Sequence, residues 1–351
     1  MARLASPRLL ALAGALAGSL MIIGPLAADP HGSMITVDGV TVHDIGPLPT
    51  AVPTPSTNLG YAQKVELGKQ LYFDGRLSKN GQVACAFCHN PFAGFADPRQ
   101  TSIGVDGKIG GRQAPTVFNT GFNRVQFWDG RAGSLEEQAI GPIQNPIEMG
   151  ETHEHVVAKL KKIKGYQDQF KAVFGTDVNL QGIAESIAAY ERTVISGNSA
   201  FDKYVMGNQQ AMDVAAVRGM ALFKGKARCL LCHGGPNLTD NRFHNLGVPQ
   251  VGPLAEDLGR YNITHQESDK GAFKTPTLRS IAETAPYMHD GAFKTLEEVV
   301  DFLDQGGGAN AHLSPLVKKL GLTADEKADL VAFLKALSGE PQKFEMPKLP
   351  K

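Results

Sequence analysis

Two segments of this chain carry residues whose type and spacing point to one chemistry: Cys85-Ala86-Phe87-Cys88-His89 and Cys229-Leu230-Leu231-Cys232-His233. They use all four cysteines in the sequence. Two thiols three residues apart can form thioethers to the two vinyl groups of one haem, and the imidazole that follows then lies under the iron. A redox Cys-x-x-Cys does not require the following His, and zinc prefers four well-separated ligands. A disulfide pairing gives the histidines no role. The spacing therefore predicts two covalently attached haems c, with Cys85, Cys88 and His89 holding the first and Cys229, Cys232 and His233 the second. The axial iron ligands are His89 and His233.

The elements that present these motifs repeat. Glu66-Leu67-Gly68-Lys69-Gln70-Leu71-Tyr72-Phe73 precedes the first motif, and Val217-Arg218-Gly219-Met220-Ala221-Leu222-Phe223 precedes the second. Each reads as a helix with a glycine and an apolar pair, followed by a short turn into the cysteines. Two such units imply two haem domains rather than one domain holding both haems. The fold expected is mainly α, with two cytochrome c-like domains, each binding one covalent haem c, and long Gly/Pro loops. Capping boxes at Thr295/Glu298 and Thr323/Glu326 open two helices, and apolar periodicity places others near 153–173, 180–195 and 211–223. No convincing sheet is legible. The loops 90–125 and 234–275 are long enough to be functional.

The first residues read as an export signal: Arg3 and Arg8, an apolar stretch from Leu9 to about Leu26, then Ala27 and Ala28 before Asp29. The expected organisation is a signal peptide at 1–28 and an extension at 29–57. An N-terminal haem c domain follows at 58–205, a C-terminal haem c domain at 206–340, and a tail at 341–351. Cleavage of the signal would leave a soluble periplasmic protein with no membrane segment. Lys plus Arg equals Asp plus Glu at 35 each, so no basic field recommends nucleic acid as a partner.

The other axial position of each iron separates electron transfer from catalysis, because electron-transfer haems usually fill both. No His lies between His89 and His153, and the first Met after the first motif is Met149. The first haem is thus expected to be five-coordinate, as peroxide or oxygen chemistry requires. After the second motif His244, His265, Met288, His289 and His312 are candidates. Met288 would give His/Met ligation and a raised potential; a packing methionine beside a turn is the other reading.

The stretch Phe127-Trp128-Asp129-Gly130-Arg131-Ala132, with Glu137-Gln138 and Pro146-Ile147-Glu148-Met149-Gly150, resembles the bacterial dihaem cytochrome c peroxidases and their relative MauG. Ala114-Pro115-Thr116-Val117-Phe118-Asn119 and Thr275-Pro276-Thr277-Leu278-Arg279 are similar too, and the likeness runs over about residues 58–340. It implies that Trp128 lies between the haems and that Gln138 and Glu148 form the distal pair over the first. Arg131 would meet a haem propionate. It also implies hydrogen peroxide as substrate, a small cytochrome c or cupredoxin as donor, and a homodimer. A calcium ion between the domains is implied as well, with Thr275 as one ligand and Gln113 standing where an Asn is usual.

Two positions depart from the family. Val105 occupies the place of the histidine that blocks the first haem in the classical peroxidases, so no reductive activation is expected. Leu303 falls where the family places the distal Met or Tyr of the second haem. The resemblance thus implies a dihaem peroxidase with a constitutively open first haem. The alternatives are a MauG-like enzyme that uses peroxide-derived oxidising equivalents to oxidise side chains of a partner protein, and a non-enzymatic dihaem electron carrier.

Overall fold

A computed structural model describes residues 33–253, 256–340 and 344–351. The expected signal peptide lies outside these residues. Along the chain the elements are β1 (Met34–Val37), β2 (Val40–His43), α1 (Ala62–Tyr72), α2 (Cys85–Cys88), α3 (Leu135–Gln144), α4 (His153–Leu160), α5 (Lys164–Phe174), α6 (Leu180–Glu191), α7 (Ala200–Val205), α8 (Val214–Lys224), β3 (Phe243–His244), α9 (Tyr261–Thr264), β4 (Phe273–Lys274), α10 (Leu296–Asp304) and α11 (Ala324–Lys335). The fold is mainly helical.

Two apolar cores divide the helices between them. The first gathers Leu67, Leu71, Tyr72, Ile143, Leu160, Phe170 and Ile187; the second gathers Phe201, Phe223, Leu230, Leu330, Phe333 and Leu337. The core changes between Val194 and Phe201, a few residues before the expected boundary at 205/206. Each core is organised around one close helix crossing, and a glycine makes each crossing. A Cβ at Gly68 of α1 would stand 1.8 Å from the carbonyl oxygen of Ser186 in α6, and one at Gly219 of α8 would stand 1.9 Å from that of Asp329 in α11. Only glycine lets the backbones approach this far. The sequence repeat is thus a repeat of helix pairs.

The chain between α4 and α5 turns at 161–163, where periodicity predicts one continuous helix. The turn brings Val156 and Leu160 of α4 and Tyr166 and Phe170 of α5 into the same core. The final residues return to the first unit. Phe344 packs on Phe73 with ring centroids 5.1 Å apart, and Arg76 donates to the carbonyl of Pro350 at 3.1 Å.

Sequence reading missed the β1–β2 hairpin. Its signal is the Asp38-Gly39 pair between alternating residues, with φ of 49° and 79°, the strongest short-range hairpin signature. Val37 and Ile45 from this segment enter the second core.

Candidate active site

Both haem-attachment motifs present their histidines in the same way. The His89 amide donates to the Cys85 carbonyl at 2.9 Å, and the His233 amide to that of Cys229 at 2.9 Å. The Nδ1 of His89 lies 2.9 Å from the Pro115 carbonyl oxygen, and that of His233 lies 2.9 Å from the Leu238 carbonyl oxygen. A carbonyl only accepts, so Nδ1 carries the proton and Nε2 keeps its lone pair for a metal. Burial depresses both imidazole pKa values, which keeps the rings neutral. Burial also pushes the thiols of Cys88 and Cys229 up to about 11 and about 12, and that of Cys85 upward as well. Such thiols are poor thiolate nucleophiles at neutral pH. A cavity of about 920 Å³, lined by Cys229, Cys232, His233 and Trp128, adjoins the second motif, within the range of cofactor sites. The residues fit haem.

Glu148 stands near the first motif. It is half-buried, and its charge acts on both Cys85 and Cys88. Burial raises its pKa, against the opposing charge of Arg131 and a hydrogen bond from Asn145. Asn145, the C-cap of α3, donates from Nδ2 to Glu148 Oε1 at 2.6 Å. The backbone is equally restrained. The Glu148 amide donates to the Asn145 carbonyl at 3.0 Å, and its carbonyl accepts from the Val105 amide at 2.8 Å. A Cβ at Gly104 would come within 2.0 Å of the Ile147 oxygen, so glycine is what allows this loop to dock. Val105 itself is buried in the first core and carries no ligand atom.

Gln138 is half-buried on α3, on the helix face that also carries Gly141 and Asn145. The ring of Phe127 lies 3.5 Å from the Cβ position of Gly141, and the Arg131 guanidinium sits 3.5 Å from the centre of that ring. Gln138, Phe127, Arg131 and Glu148 thus border one region. Arg131, expected on a propionate, also pairs with Asp129 at 2.9 Å.

Trp128 connects this region to the second motif. Its Nε1 donates to the Gln113 carbonyl at 2.9 Å, and the Gln113 amide donates to the His289 carbonyl at 2.8 Å. Arg112 holds the same seam, bonded to Asp129 at 2.7 Å and to Asp257 at 2.6 Å.

The residues expected to bind calcium do not form an oxygen cage. Gln113 Nε2 donates to the Asp97 carbonyl at 3.1 Å. The Thr275 carbonyl already accepts from Thr239 Oγ1 at 2.7 Å and lies 3.4 Å from the buried amine of Lys274. Calcium takes six to eight oxygens, whereas a cationic side chain occupies this ground. Among the described residues the one cluster of three metal-ligating side chains is Cys232, Asp240 and His244. Its cysteine belongs to the haem motif.

Two site residues, Asn145 and Glu191, escaped sequence reasoning, and a third, His289, stands in surroundings the sequence did not reveal. Asn145, which holds Glu148, was hidden in an ordinary helix end. Buried His289 stacks on Phe273 at 3.6 Å with its Nε2 unpartnered, and burial drives its pKa down to about 4. Glu191 lies in the first unit, where burial, opposed by Arg192 and reinforced by Glu136, raises its pKa to about 8. A carboxyl kept neutral in the fold but ionised when unfolded loses stability as pH rises from about 4.5 to about 8. Glu191→Gln should remove that loss, gaining up to about 5 kcal/mol over wild type across this window. Denaturant titrations at both ends check this; parallel pH profiles for the two proteins would contradict it.

With this geometry in place, similarity to known proteins identifies the family. A family model of di-haem cytochrome c peroxidases matches residues 62–210. The chain is 39% identical over 337 residues to cytochrome-c peroxidase IdrP1 of Pseudomonas sp., covering 87% of this chain and 89% of that protein. It is 39% identical over 306 residues to methylamine utilization protein MauG of Methylorubrum extorquens, covering 86% of each. The crystal structure of a MauG-like protein associated with microbial copper homeostasis aligns with a TM-score of 0.77 at 36% identity, covering 84% of this chain and 95% of that one. The chain belongs to the di-haem cytochrome c peroxidase family, a family of oxidoreductases.

Proposed function

We propose that this protein is a periplasmic enzyme that reduces hydrogen peroxide to water at its first haem, with electrons entering at the second. Covalent haem c at Cys85/Cys88/His89 and Cys229/Cys232/His233 would supply the redox chemistry and the peroxide-binding iron. The protein groups supply the protons and the geometry. With haem bound, Glu148 would carry the proton from one peroxide oxygen to the other so that the latter can leave as water, and the two donor electrons with two protons would convert the remaining oxygen to a second water. Its raised pKa brings it closer to the working pH of a proton shuttle. The Gln138 amide orients the bound oxygen by hydrogen bonding. Trp128, anchored through Gln113, lies on the path between the haems. Two electrons per peroxide come from a small cytochrome c or cupredoxin.

The observation that carries this reading is the half-buried carboxyl of Glu148, held by Asn145 beside the first haem motif. A pure electron carrier has no use for it. Val105, which carries no ligand atom where the classical peroxidases place a blocking histidine, leaves this pocket ready without prior reduction. The same feature favours a second reading, a MauG-like enzyme that passes the oxidising equivalents of peroxide to a partner protein and takes two electrons from its side chains. Leu303 in place of that enzyme's Tyr counts against it. Mixing the ferric protein with peroxide and reduced cytochrome c separates the two: a peroxidase oxidises the donor, whereas a MauG-like enzyme reacts with peroxide and leaves the donor reduced.

No helix among the described residues is long and apolar enough to cross a membrane. A periplasmic location rests on the signal-like residues 1–28 and on the haem c motifs, which are assembled outside the bacterial cytoplasm. Fractionation of the expressing cells checks it.

A further inference from the structure

The two halves share more than their haem motifs. Residues 127–138 (Phe-Trp-Asp-Gly-Arg-Ala-Gly-Ser-Leu-Glu-Glu-Gln) align without a gap on residues 288–299 (Met-His-Asp-Gly-Ala-Phe-Lys-Thr-Leu-Glu-Glu-Val). The backbone repeats as well. Phe127 and Met288 both adopt left-handed φ, at 68° and 72°, and Gly130 and Gly291 follow at 67° and 68°. One antiparallel bridge closes each loop, Gln126 to Ala132 and Tyr287 to Phe293. Ser134 and Thr295 then cap α3 and α10 by the same hydrogen bond.

This correspondence locates Met288. In the first copy Phe127 borders the distal region, between Gly141 on α3 and the Arg131 whose charge reaches Glu148. Met288 holds the matching place in the second copy, and it lines the cavity shared with Cys229, Cys232 and His233. Across from it, α10 presents Leu296, Val299, Val300 and Leu303 to the cavity. In the register of the repeat, Val299 replaces Gln138 and Leu303 replaces Pro142. None of these aliphatic side chains can ligate iron.

Three histidines, His244, His289 and His312, also line the cavity. His244 is bonded to Asp240 at 2.9 Å and contacts Ser314 at 3.4 Å. His289 is stacked on Phe273, with its backbone tied to Gln113 across the seam. His312 lines both this cavity and a neighbouring surface depression, on the loop that carries Leu313 and Ser314. Met288 is the one thioether among these lining residues, beside the aliphatic side chains of α10, and apolar surroundings are the environment in which His/Met ligation raises a haem potential.

We propose that the Met288 thioether is the sixth ligand of the second haem, delivered by the 285–291 loop rather than by helix α10. The proposal rests on the haem reading above, and its test keeps the two apart. Haem is first counted in the purified holoprotein; fewer than two per chain would overturn the haem reading itself. With two present, the ferric protein should show the far-red charge-transfer band of a thioether on low-spin haem. Met288→Leu should abolish that band, convert the second haem to high spin and lower its potential. Adding Leu303→Met to that variant should bring back a low-spin thioether signal, which shows that the pocket has not collapsed. A wild-type protein without the band, or a band that survives Met288→Leu, would overturn the proposal while leaving two haems in place.

Discussion

Glu148→Gln is expected to lower peroxide turnover by about 10²- to 10⁴-fold, the range general acid–base catalysis contributes. The substitution keeps the size of the side chain and its bond from Asn145, whose amide can donate to either a carboxylate or an amide oxygen. What it removes is the ability to take a proton from one peroxide oxygen and give it to the other. The loss should therefore fall on kcat far more than on KM. The haem spectra of the resting protein and electron exchange with reduced cytochrome c should stay intact. Asn145→Ala should show a smaller deficit, because it leaves the carboxyl present but free to rotate. Steady-state kinetics of both variants decide the matter. Unchanged turnover in Glu148→Gln would remove the carboxyl from the mechanism.

The largest expected effect on stability comes from a pair far from the peroxide. Arg279 is 1% exposed, and its guanidinium meets Asp202 at 2.9 Å. It also donates to the carbonyls of Pro236 at 2.8 Å and Gly46 at 3.0 Å. Asp202 in turn caps α7, accepting from the Ser199 amide and hydroxyl at 2.9 Å. The pair thus ties α7 to the loop that begins just after the second haem motif, two residues before the Leu238 carbonyl that orients His233. Asp202→Ala would strand a buried guanidinium without its counter-ion and lose a helix cap. A cost of about 3–5 kcal/mol is expected, together with weaker retention of native structure around the second haem. Chemical denaturation followed at the second haem's absorbance measures it; a cost below about 1 kcal/mol would mean the guanidinium is satisfied by its backbone partners alone.

What could be read from sequence was what local spacing determines. The thioether and imidazole positions follow from a five-residue pattern, and Thr295/Glu298 and Thr323/Glu326 form the capping boxes their spacing predicts. Other features depend on contacts between distant segments. Nothing in the local sequence reveals that Asn145 donates to Glu148, or that the Gln113 peptide bridges Trp128 and His289. The single helix expected over 153–173 breaks because two apolar faces must reach one core from different directions. The Lys274 amine and the Thr239 hydroxyl both approach the Thr275 carbonyl expected to meet calcium, an arrangement no motif encodes. The duplicated loop at 127–138 and 288–299 was legible but overlooked, since Trp128 and His289 differ at the position that draws attention.

The central claim is that the first haem is open in the oxidised protein and serves a peroxidase. Its most direct test is stopped-flow absorbance of the as-isolated ferric protein mixed with hydrogen peroxide, with and without reduced cytochrome c. The account predicts a fast change in the haem spectrum without prior reduction. With the donor present, that change should reverse as two donor molecules are oxidised per peroxide. A ferric protein that stays silent until its second haem is reduced would contradict the account, and would show that a group other than a residue at position 105 closes the first iron.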